Sequence, residues 1–173
     1  MTKGLLLAVL AVPPLVVIES LFFPFVSGRV YIFRLLVEVT FFFWVLLIAR
    51  NPEYRPRLKN PIVIAALLFL LGLVITAFLG VDPWRSFFSN IERADGVIQF
   101  THWVAYFLMI ISVFRSARDW RIFLWVFAAT AFLVAGYAWK LQEPRLAGFF
   151  NNPSYLAVFM LFSIGMAGIL WAY

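Results

Sequence analysis

The residues whose types and spacing could do chemistry lie around position 150, where RLAGFFNNPSY opens the last apolar run of the chain. Asn152 is a residue type that caps helices, and Pro153 suits the first helical position because its missing N–H would be unpaired there anyway. Free N–H groups at such a helix start, the helix dipole and nearby Arg145 together predict a small anion-binding site. At the edge of a bilayer, the expected anion is a phosphate or diphosphate on a lipid. The alternative is an ordinary capped helix beside an arginine that reaches toward water.

A second candidate lies inside the second apolar run. Arg34 and Glu38 are four residues apart, so they share one face of a helix. A lone carboxylate near the middle of a membrane is expensive, so Glu38 should be protonated, paired with Arg34 or facing a wet cavity. Two interpretations stay open: a polar pocket reached from outside, or an ion pair that holds the helices together. His102, the single histidine, is either a base at the outer face or a hydrogen-bonding aromatic at the interface.

A third candidate is the loop VDPWRSFFSNIERADG, residues 81–96. Asp82 predicts a cap for a helix that starts at Pro83. Apolar side chains then recur at helical spacing, which predicts a short helix lying flat on the membrane with Arg85 off the apolar stripe. The functional interpretation is a platform that offers Arg85 or Arg93 to the phosphates of a lipid-linked substrate. The alternative is a plain interfacial connector.

Composition indicates which elements position these residues. The 173 residues are 65% hydrophobic and 13% charged, which is more apolar than a soluble domain of this size can bury. We therefore predict an all-α, polytopic transmembrane helix bundle that forms a single domain over residues 1–173, with Pro13 and Pro14 kinking its first helix. A spanning helix needs about 20 residues. About six runs approach that length, at residues 5–23, 30–49, 62–79, 97–114, 122–139 and 155–173.

The basic residues predict the orientation. The net charge is +6, but the lysines and arginines lie in short loops between apolar runs, where they orient membrane spans and do not indicate nucleic acid. The loop RNPEYRPRLK, residues 50–59, is the densest of these, so we expect a cytoplasmic N-terminus. The chain has no cysteine and one histidine. Without a thiol and with a single imidazole, the chain cannot supply the usual ligand set of a zinc site. We therefore expect neither a metal nor a cofactor.

Three short motifs resemble the O-antigen ligase and polymerase superfamily of bacterial membrane proteins. Members show a G-x-D-x-x-x-S segment, an E-R-x-x-G element and a later R-x-x-G-x-F-x-N-P-N segment that opens another span. The matching residues here are Gly80, Asp82 and Ser86 for the first, Glu92, Arg93 and Gly96 for the second, and Arg145, Gly148, Phe150, Asn152 and Pro153 for the third. Arg34 and Glu38 before the basic loop are also similar to the family. Ser154 stands where the family usually has asparagine.

This resemblance implies transfer of a glycan from an undecaprenyl-diphosphate carrier at the outer face of the bacterial inner membrane, to lipid A-core or another acceptor glycan. Fixed arginines would bind the donor diphosphate electrostatically. The implied donor-binding residues are Arg145, Asn152, Arg93 and Arg85, and those of the surrounding frame or polar pocket are Arg34, Glu38, Asp82, Glu92, Gly148 and Pro153.

Family members continue into further spans and a long outer loop that carries the arginine and histidine of glycosyl transfer. These 173 residues hold no such loop, so the chain resembles an N-terminal portion. We assign it no catalytic residue and expect it to be inactive alone, and His102 does not inherit the role of the family histidine. The alternative is a small non-catalytic membrane protein that binds or transports lipid-linked sugars.

Overall fold

A computed structural model describes residues 1–90, 95–141 and 145–172, and this part of the chain is helical without β-strands. The all-α prediction is confirmed for it. The α-helices in these residues are α1 Thr2–Ala11, α2 Ser27–Arg50, α3 Pro61–Leu79, α4 Pro83–Phe88, α5 Val97–Val113, α6 Ala117–Leu141 and α7 Pro153–Ala172. Short 3₁₀ turns lie at Pro13–Leu15, Pro52–Tyr54 and Gly148–Phe150.

The chain folds into two compact units. Unit 1 contains Met1–Leu6 and Phe33–Phe114. Unit 2 contains Leu7–Ile32 and Arg115–Tyr173. Helix α2 begins in unit 2 and ends in unit 1, so its first turns and its later turns contribute to different packing arrangements.

Four helices are long and apolar enough to cross a membrane, namely α2, α3, α6 and α7. Only 11% to 28% of the residues in their most apolar windows are buried inside the protein, so most of their apolar side chains face outward. A bilayer covers such side chains without a hydrogen-bonding penalty, because a helix satisfies its backbone internally. The predicted runs 30–49, 62–79, 122–139 and 155–173 correspond to these helices. The chain is therefore a helical membrane protein.

The other two predicted runs differ in the structure. Run 97–114 forms α5, which has 17 residues and is shorter than the roughly 20 residues of an ordinary span. Run 5–23 is not one helix, because α1 ends at Ala11 and Pro13 starts a separate 3₁₀ turn. Two adjacent prolines remove the N–H groups that would continue the α-helical ladder, so the expected kink is a break. The described residues thus contain four candidate spans, and a count of six stays a prediction.

Three helices begin in the same way. Each of α3, α4 and α7 starts with a proline that follows an asparagine or aspartate, whose side-chain oxygen accepts a backbone N–H of the first turn. The Oδ1···N distances are 2.9 Å from Asn60 to Ile62, 3.0 Å from Asp82 to Arg85 and 2.9 Å from Asn152 to Ser154. The caps predicted at Asp82 and Asn152 are confirmed, with Pro83 and Pro153 as first helical residues.

In unit 2, α6 packs along α7, and the turn before α7 packs against α6. Val134, Ala138 and Leu156 form the buried centre of this contact. The rings of Phe127 and Phe159 meet beside it at 5.6 Å. This packing fixes the position of the turn that carries the third motif.

In unit 1, α3 packs on α5, and the short helix α4 packs on both. The ring of Phe69 meets that of Phe100 at 5.9 Å, and the ring of Phe78 meets that of Phe87 at 4.8 Å. Aromatic edge-to-face contacts of this kind contribute roughly 0.5–1.5 kcal/mol each beyond the area they bury. The first contact holds α3 against α5, and the second holds α4 against the end of α3.

Candidate functional site

The turn before α7 has a backbone shape that few residue types adopt. Gly148 is buried with a φ of +52°, and Asn151 has a φ of 48°. This left-handed region strains most side chains, while glycine adopts it freely and asparagine tolerates it. A Cβ on Gly148 would lie 2.7 Å from the Cβ of Ala138 on α6. Glycine is therefore required at 148 for its backbone angles and for the close approach of α6.

Arg29, near the start of α2, holds this turn. Its Nε donates a hydrogen bond to the carbonyl oxygen of Val16 at 3.2 Å, and a terminal guanidinium nitrogen donates to the carbonyl oxygen of Phe149. Its Cζ lies 4.4 Å from the centre of the Phe150 ring, a cation–π contact. One guanidinium thus joins the part of the first run that follows its break to the turn before α7.

Sequence reasoning missed this role of Arg29. Its hydrogen-bond acceptors are main-chain carbonyls, which any residue type supplies, and Phe149 is 120 positions away in the chain. The available signal was an arginine at the entrance of an apolar run, where a cation needs partners. The ring of Tyr137 on α6 stacks on the ring of Phe149, with 3.9 Å between the ring centres, and this contact also supports the turn.

The start of α7 satisfies most of its own backbone donors. Besides the bond from Ser154 N–H to the Asn152 side chain, the Asn152 carbonyl accepts from the N–H of Leu156 at 3.1 Å. Pro153 has no N–H to offer. Among the described residues, the N–H of Tyr155 is the donor of this first turn that keeps no partner. Much of the donor set expected at this helix start is therefore already used, so a side-chain cation has to supply most of the attraction in the predicted anion site.

Arg145 is the cation that the sequence predicts for this site. Its side chain is exposed, and it lies at the beginning of the segment that forms the turn, seven positions before Asn152. The frame behind it is buried, since Ala147 and Gly148 are both in the interior. An exposed guanidinium next to a buried turn is accessible to an external anion, and binding would have to order the arginine side chain but not the turn.

The loop of unit 1 that contains α4 also carries an exposed arginine. The hydroxyl of Ser86 donates to the Asp82 carbonyl at 2.9 Å, so two motif residues serve the local structure of the helix start. Trp84 and Phe88 place their rings 4.2 Å apart on the outer surface of the helix, and both are exposed. Arg85 is exposed as well. This arrangement matches the predicted short helix, with aromatic side chains available to a membrane surface.

Gly96, the glycine of the second motif, permits a close backbone approach. A Cβ there would lie 2.4 Å from the carbonyl oxygen of Phe87 at the end of α4. Any side chain at 96 would therefore push α4 away from α5. The other two residues of this motif, Glu92 and Arg93, lie outside the described residues.

Two polar pairs join α2 and α5 within unit 1. The Nε of Arg34 donates to the Oε1 of Gln99 at 2.9 Å. One turn further along both helices, the Oε1 of Glu38 lies 3.1 Å from the Nε2 of His102. The Nδ1 of His102 lies 2.7 Å from the carbonyl oxygen of Ile98. The ring is thus held at both nitrogens.

Further contacts continue this connection. The indole N–H of Trp44 on α2 donates to the hydroxyl of Ser112 on α5 at 2.8 Å, in the interior. The hydroxyl of Tyr106 on α5 donates to the Leu6 carbonyl of α1 at 2.9 Å. Hydrogen bonds and close packing are the forces that associate helices in lipid, where apolar surface gives no advantage to one neighbour over another.

The pairing of Glu38 with His102 was not predicted. The sequence placed Arg34 and Glu38 on one helix face, which the structure confirms, but it gave them no partner on another helix. Gln99 and His102 are three residues apart, so they form a matching polar face one helical turn long. That periodicity within an otherwise apolar run was the signal that could have found the pair.

Comparison of the chain with models of known families, with curated proteins and with solved structures finds no significant match. The resemblance carried by the three motifs therefore stays a prediction. The fold and the described side chains define a class: a helical membrane protein with an exposed arginine next to a buried turn, and with an ionisable side chain of a candidate spanning helix, Glu38, paired with His102.

Proposed function

We propose that this chain binds an undecaprenyl-diphosphate-linked glycan at the outer face of the bacterial inner membrane, in the manner of the O-antigen ligases and polymerases. The observation that carries the proposal is the turn from Arg145 to Pro153, in which a buried Gly148 and an Asn152-capped helix present an exposed arginine. A planar guanidinium suits a diphosphate because it can donate two parallel hydrogen bonds. Arg85 and Arg93, which the sequence also predicts as donor-binding residues, are further candidates for contact with a lipid phosphate.

In glycan transfer, the lipid diphosphate is the leaving group. Negative charge grows on its bridging oxygen as the glycosidic bond breaks, and fixed arginines stabilise that charge electrostatically. The acceptor would be lipid A-core or another glycan. For the chain itself we propose donor binding alone, because none of its residues is assigned to catalysis.

The proposed topology has six spans with the N-terminus in the cytoplasm. A broken first span is tolerated in a membrane when protein groups satisfy the freed carbonyls, as Arg29 does for Val16. Helix α5 would be a short fourth span of roughly 25 Å at 1.5 Å per residue, slightly less than the ~30 Å hydrocarbon core. In this topology, α4 and the turn before α7 both face the outer leaflet.

The test is donor binding by the chain in lipid nanodiscs. We expect Arg145→Ala to bind an undecaprenyl-diphosphate-linked glycan about tenfold more weakly, which corresponds to roughly 1.4 kcal/mol and to the loss of one charge-assisted hydrogen bond. Arg118→Ala is the matched control, since Arg118 is also exposed but begins α6 on the proposed cytoplasmic side. Inorganic diphosphate should compete with the glycan if the headgroup is what the site recognises. Equal affinities of the two variants would refute the assignment.

A second candidate function is transport of lipid-linked sugars without ligation. The observation that favours it is the contact of Glu38, in the middle of the candidate spanning helix α2, with His102 on α5, since ionisable side chains inside a span often line a pathway. Movement of a fluorescent lipid-linked sugar between the leaflets of liposomes would support transport. Binding of the sugar without such movement would favour the first candidate.

A further inference from the structure

Glu38 on α2 and His102 on α5 are in direct contact. Glu38 lies at the middle of the 24-residue helix α2. A charged side chain at the centre of a spanning helix costs about 2.5–3.5 kcal/mol on insertion scales. An ionised Glu38 therefore needs a compensating partner, and His102 is within hydrogen-bond distance of it.

The geometry determines how many protons the pair holds. The Ile98 carbonyl is only an acceptor, so the 2.7 Å contact requires a hydrogen on Nδ1 of His102. In a neutral imidazole with that hydrogen, Nε2 is an acceptor. A carboxylate oxygen of Glu38 is also an acceptor, and the two atoms are 3.1 Å apart. A hydrogen bond between them needs one more proton, either on Nε2 or on the carboxyl group.

We propose that Glu38 and His102 form a proton-binding site within the membrane, in which one proton shared between Oε1 and Nε2 joins α2 to α5. The ligand is the proton itself. When it leaves for water, a carboxylate remains against the lone pair of Nε2, and the attraction between the two helices is lost. Chains of Asp, Glu and His inside spans serve as proton relays in pumps and transporters.

A groove of about 270 Å³ lies beside the pair. It is lined by Val37, Glu38, Phe41, Thr101, His102 and Ala105. The side chain of Glu38 is 65% exposed and that of His102 is 14% exposed. The carboxyl group is therefore the open side of the pair, while the imidazole is held in the protein.

Few other ionisable groups face the pair from the elements packed around it. Arg34 lies one turn earlier on α2 and is bonded to Gln99, and Tyr106 lies one turn later on α5 and is bonded to the Leu6 carbonyl. Helix α1 carries Lys3, and α4 carries the exposed Arg85. The sequence of α3 has no ionisable side chain. The proton is thus shared by two residues and is not distributed over a larger cluster.

This inference does not depend on the proposed function, because it uses α2 and α5 alone. His102 is the single histidine of the chain, so nuclear magnetic resonance of isotopically labelled histidine reads its two ring nitrogens without ambiguity. We expect the protein in nanodiscs to show a protonated Nδ1 at every pH at which it is folded. We also expect a hydrogen-bonded proton at Nε2 that is lost as the pH rises. A bare Nδ1, or an Nε2 that never takes part in such a bond, would overturn the proposal.

A matched pair of variants tests the role of the carboxylate. Glu38→Gln replaces the carboxylate by an amide whose N–H can itself donate to Nε2, so the pair no longer needs a shared proton and the ring signals should differ from those of the unaltered protein. Glu53→Gln makes the same change on an exposed carboxylate after α2 and should leave the ring signals as they are. Identical proton uptake by the Glu38→Gln variant and the unaltered protein would also overturn the proposal. The tautomer measurement uses the unaltered chain, so it stands even if this variant fails to fold.

A distance measurement between α2 and α5 tests whether the shared proton holds the two helices together. The chain has no cysteine, so spin labels at Leu35→Cys on α2 and Trp103→Cys on α5, both exposed positions, report one distance. We expect that distance to lengthen or broaden over the pH range in which the Nε2 proton is lost, and to stay constant in the Glu38→Gln background. An unchanged distance over that range would show that the proton does not hold the helices together.

Discussion

Replacing Gly148 by alanine should destabilise the turn before α7 through two separate effects. The backbone at 148 has a φ of +52°, and holding a residue with a side chain in the left-handed region costs about 1–2 kcal/mol. The new Cβ would lie 2.7 Å from the Cβ of Ala138, whereas carbon atoms prefer a separation of roughly 3.5–4.0 Å. Overpacking of this kind typically costs about 1–3 kcal/mol. The two effects together predict a loss of about 2–5 kcal/mol.

The assay is unfolding of the chain in mixed micelles, followed by the loss of helical circular dichroism. Gly136→Ala is the matched control on α6, because a Cβ there meets nothing within 4 Å. That change should be neutral or stabilising by up to about 1 kcal/mol, since alanine favours a helix more than glycine does. A loss below about 0.5 kcal/mol for Gly148→Ala would refute the reasoning.

A double-mutant cycle separates the two effects. Ala138→Gly removes the nearest atom that the new Cβ would meet, at 2.7 Å, and leaves the Cα of residue 138 at 3.0 Å and the backbone angle at 148 as they are. The double variant should therefore recover part of the overpacking cost of about 1–3 kcal/mol and be more stable than the sum of the two single losses predicts. Strictly additive losses would mean that the collision is relieved by a small shift of α6. The turn would then be less fixed than the donor-binding proposal requires.

Three further predictions concern other parts of the chain. Asp82→Ala should lower the free energy of unfolding by about 1 kcal/mol because the N-cap of α4 is lost, whereas Asp82→Asn should keep it; equal losses would contradict the cap. Trp44→Phe and Ser112→Ala should show a coupling energy of about 0.6 kcal/mol in unfolding measurements, the usual size of a hydrogen bond between membrane helices, and no coupling would exclude it. Ser154→Cys should react with a membrane-impermeant maleimide on intact cells, and Glu53→Cys only after permeabilisation; the reverse pattern would put the proposed donor site in the cytoplasm.

Local features of the fold could be predicted because they depend on neighbouring residues. The caps at Asp82 and Asn152 follow from an acceptor side chain placed just before a proline, and both helices begin there. The apolar runs at 30–49 and 62–79 predict helices because the length and composition of a run are enough to identify a membrane-spanning helix. The first run was predicted less well: Pro13 and Pro14 produce a break after Ala11 where a kink was expected.

The candidate site was predicted only in part because its contacts are long-range. The sequence identified Arg145, Gly148 and Asn152 within one segment, but it could not indicate that Arg29 supports their turn. The hydrogen bond from Arg29 goes to the main chain of Phe149. Every residue type has a main-chain carbonyl, so the residue types in the sequence do not indicate which carbonyl an arginine will bind.

By itself, the sequence determined that the chain is helical, that most of it belongs in a membrane and where several helices start. These properties follow from hydrophobicity and from hydrogen bonds within a few residues. The tertiary structure decided which polar groups meet: Glu38 with His102, Arg34 with Gln99, and Arg29 with the turn that contains Gly148. Such groups have to find partners when lipid surrounds them, but which partner each one finds depends on how the helices pack.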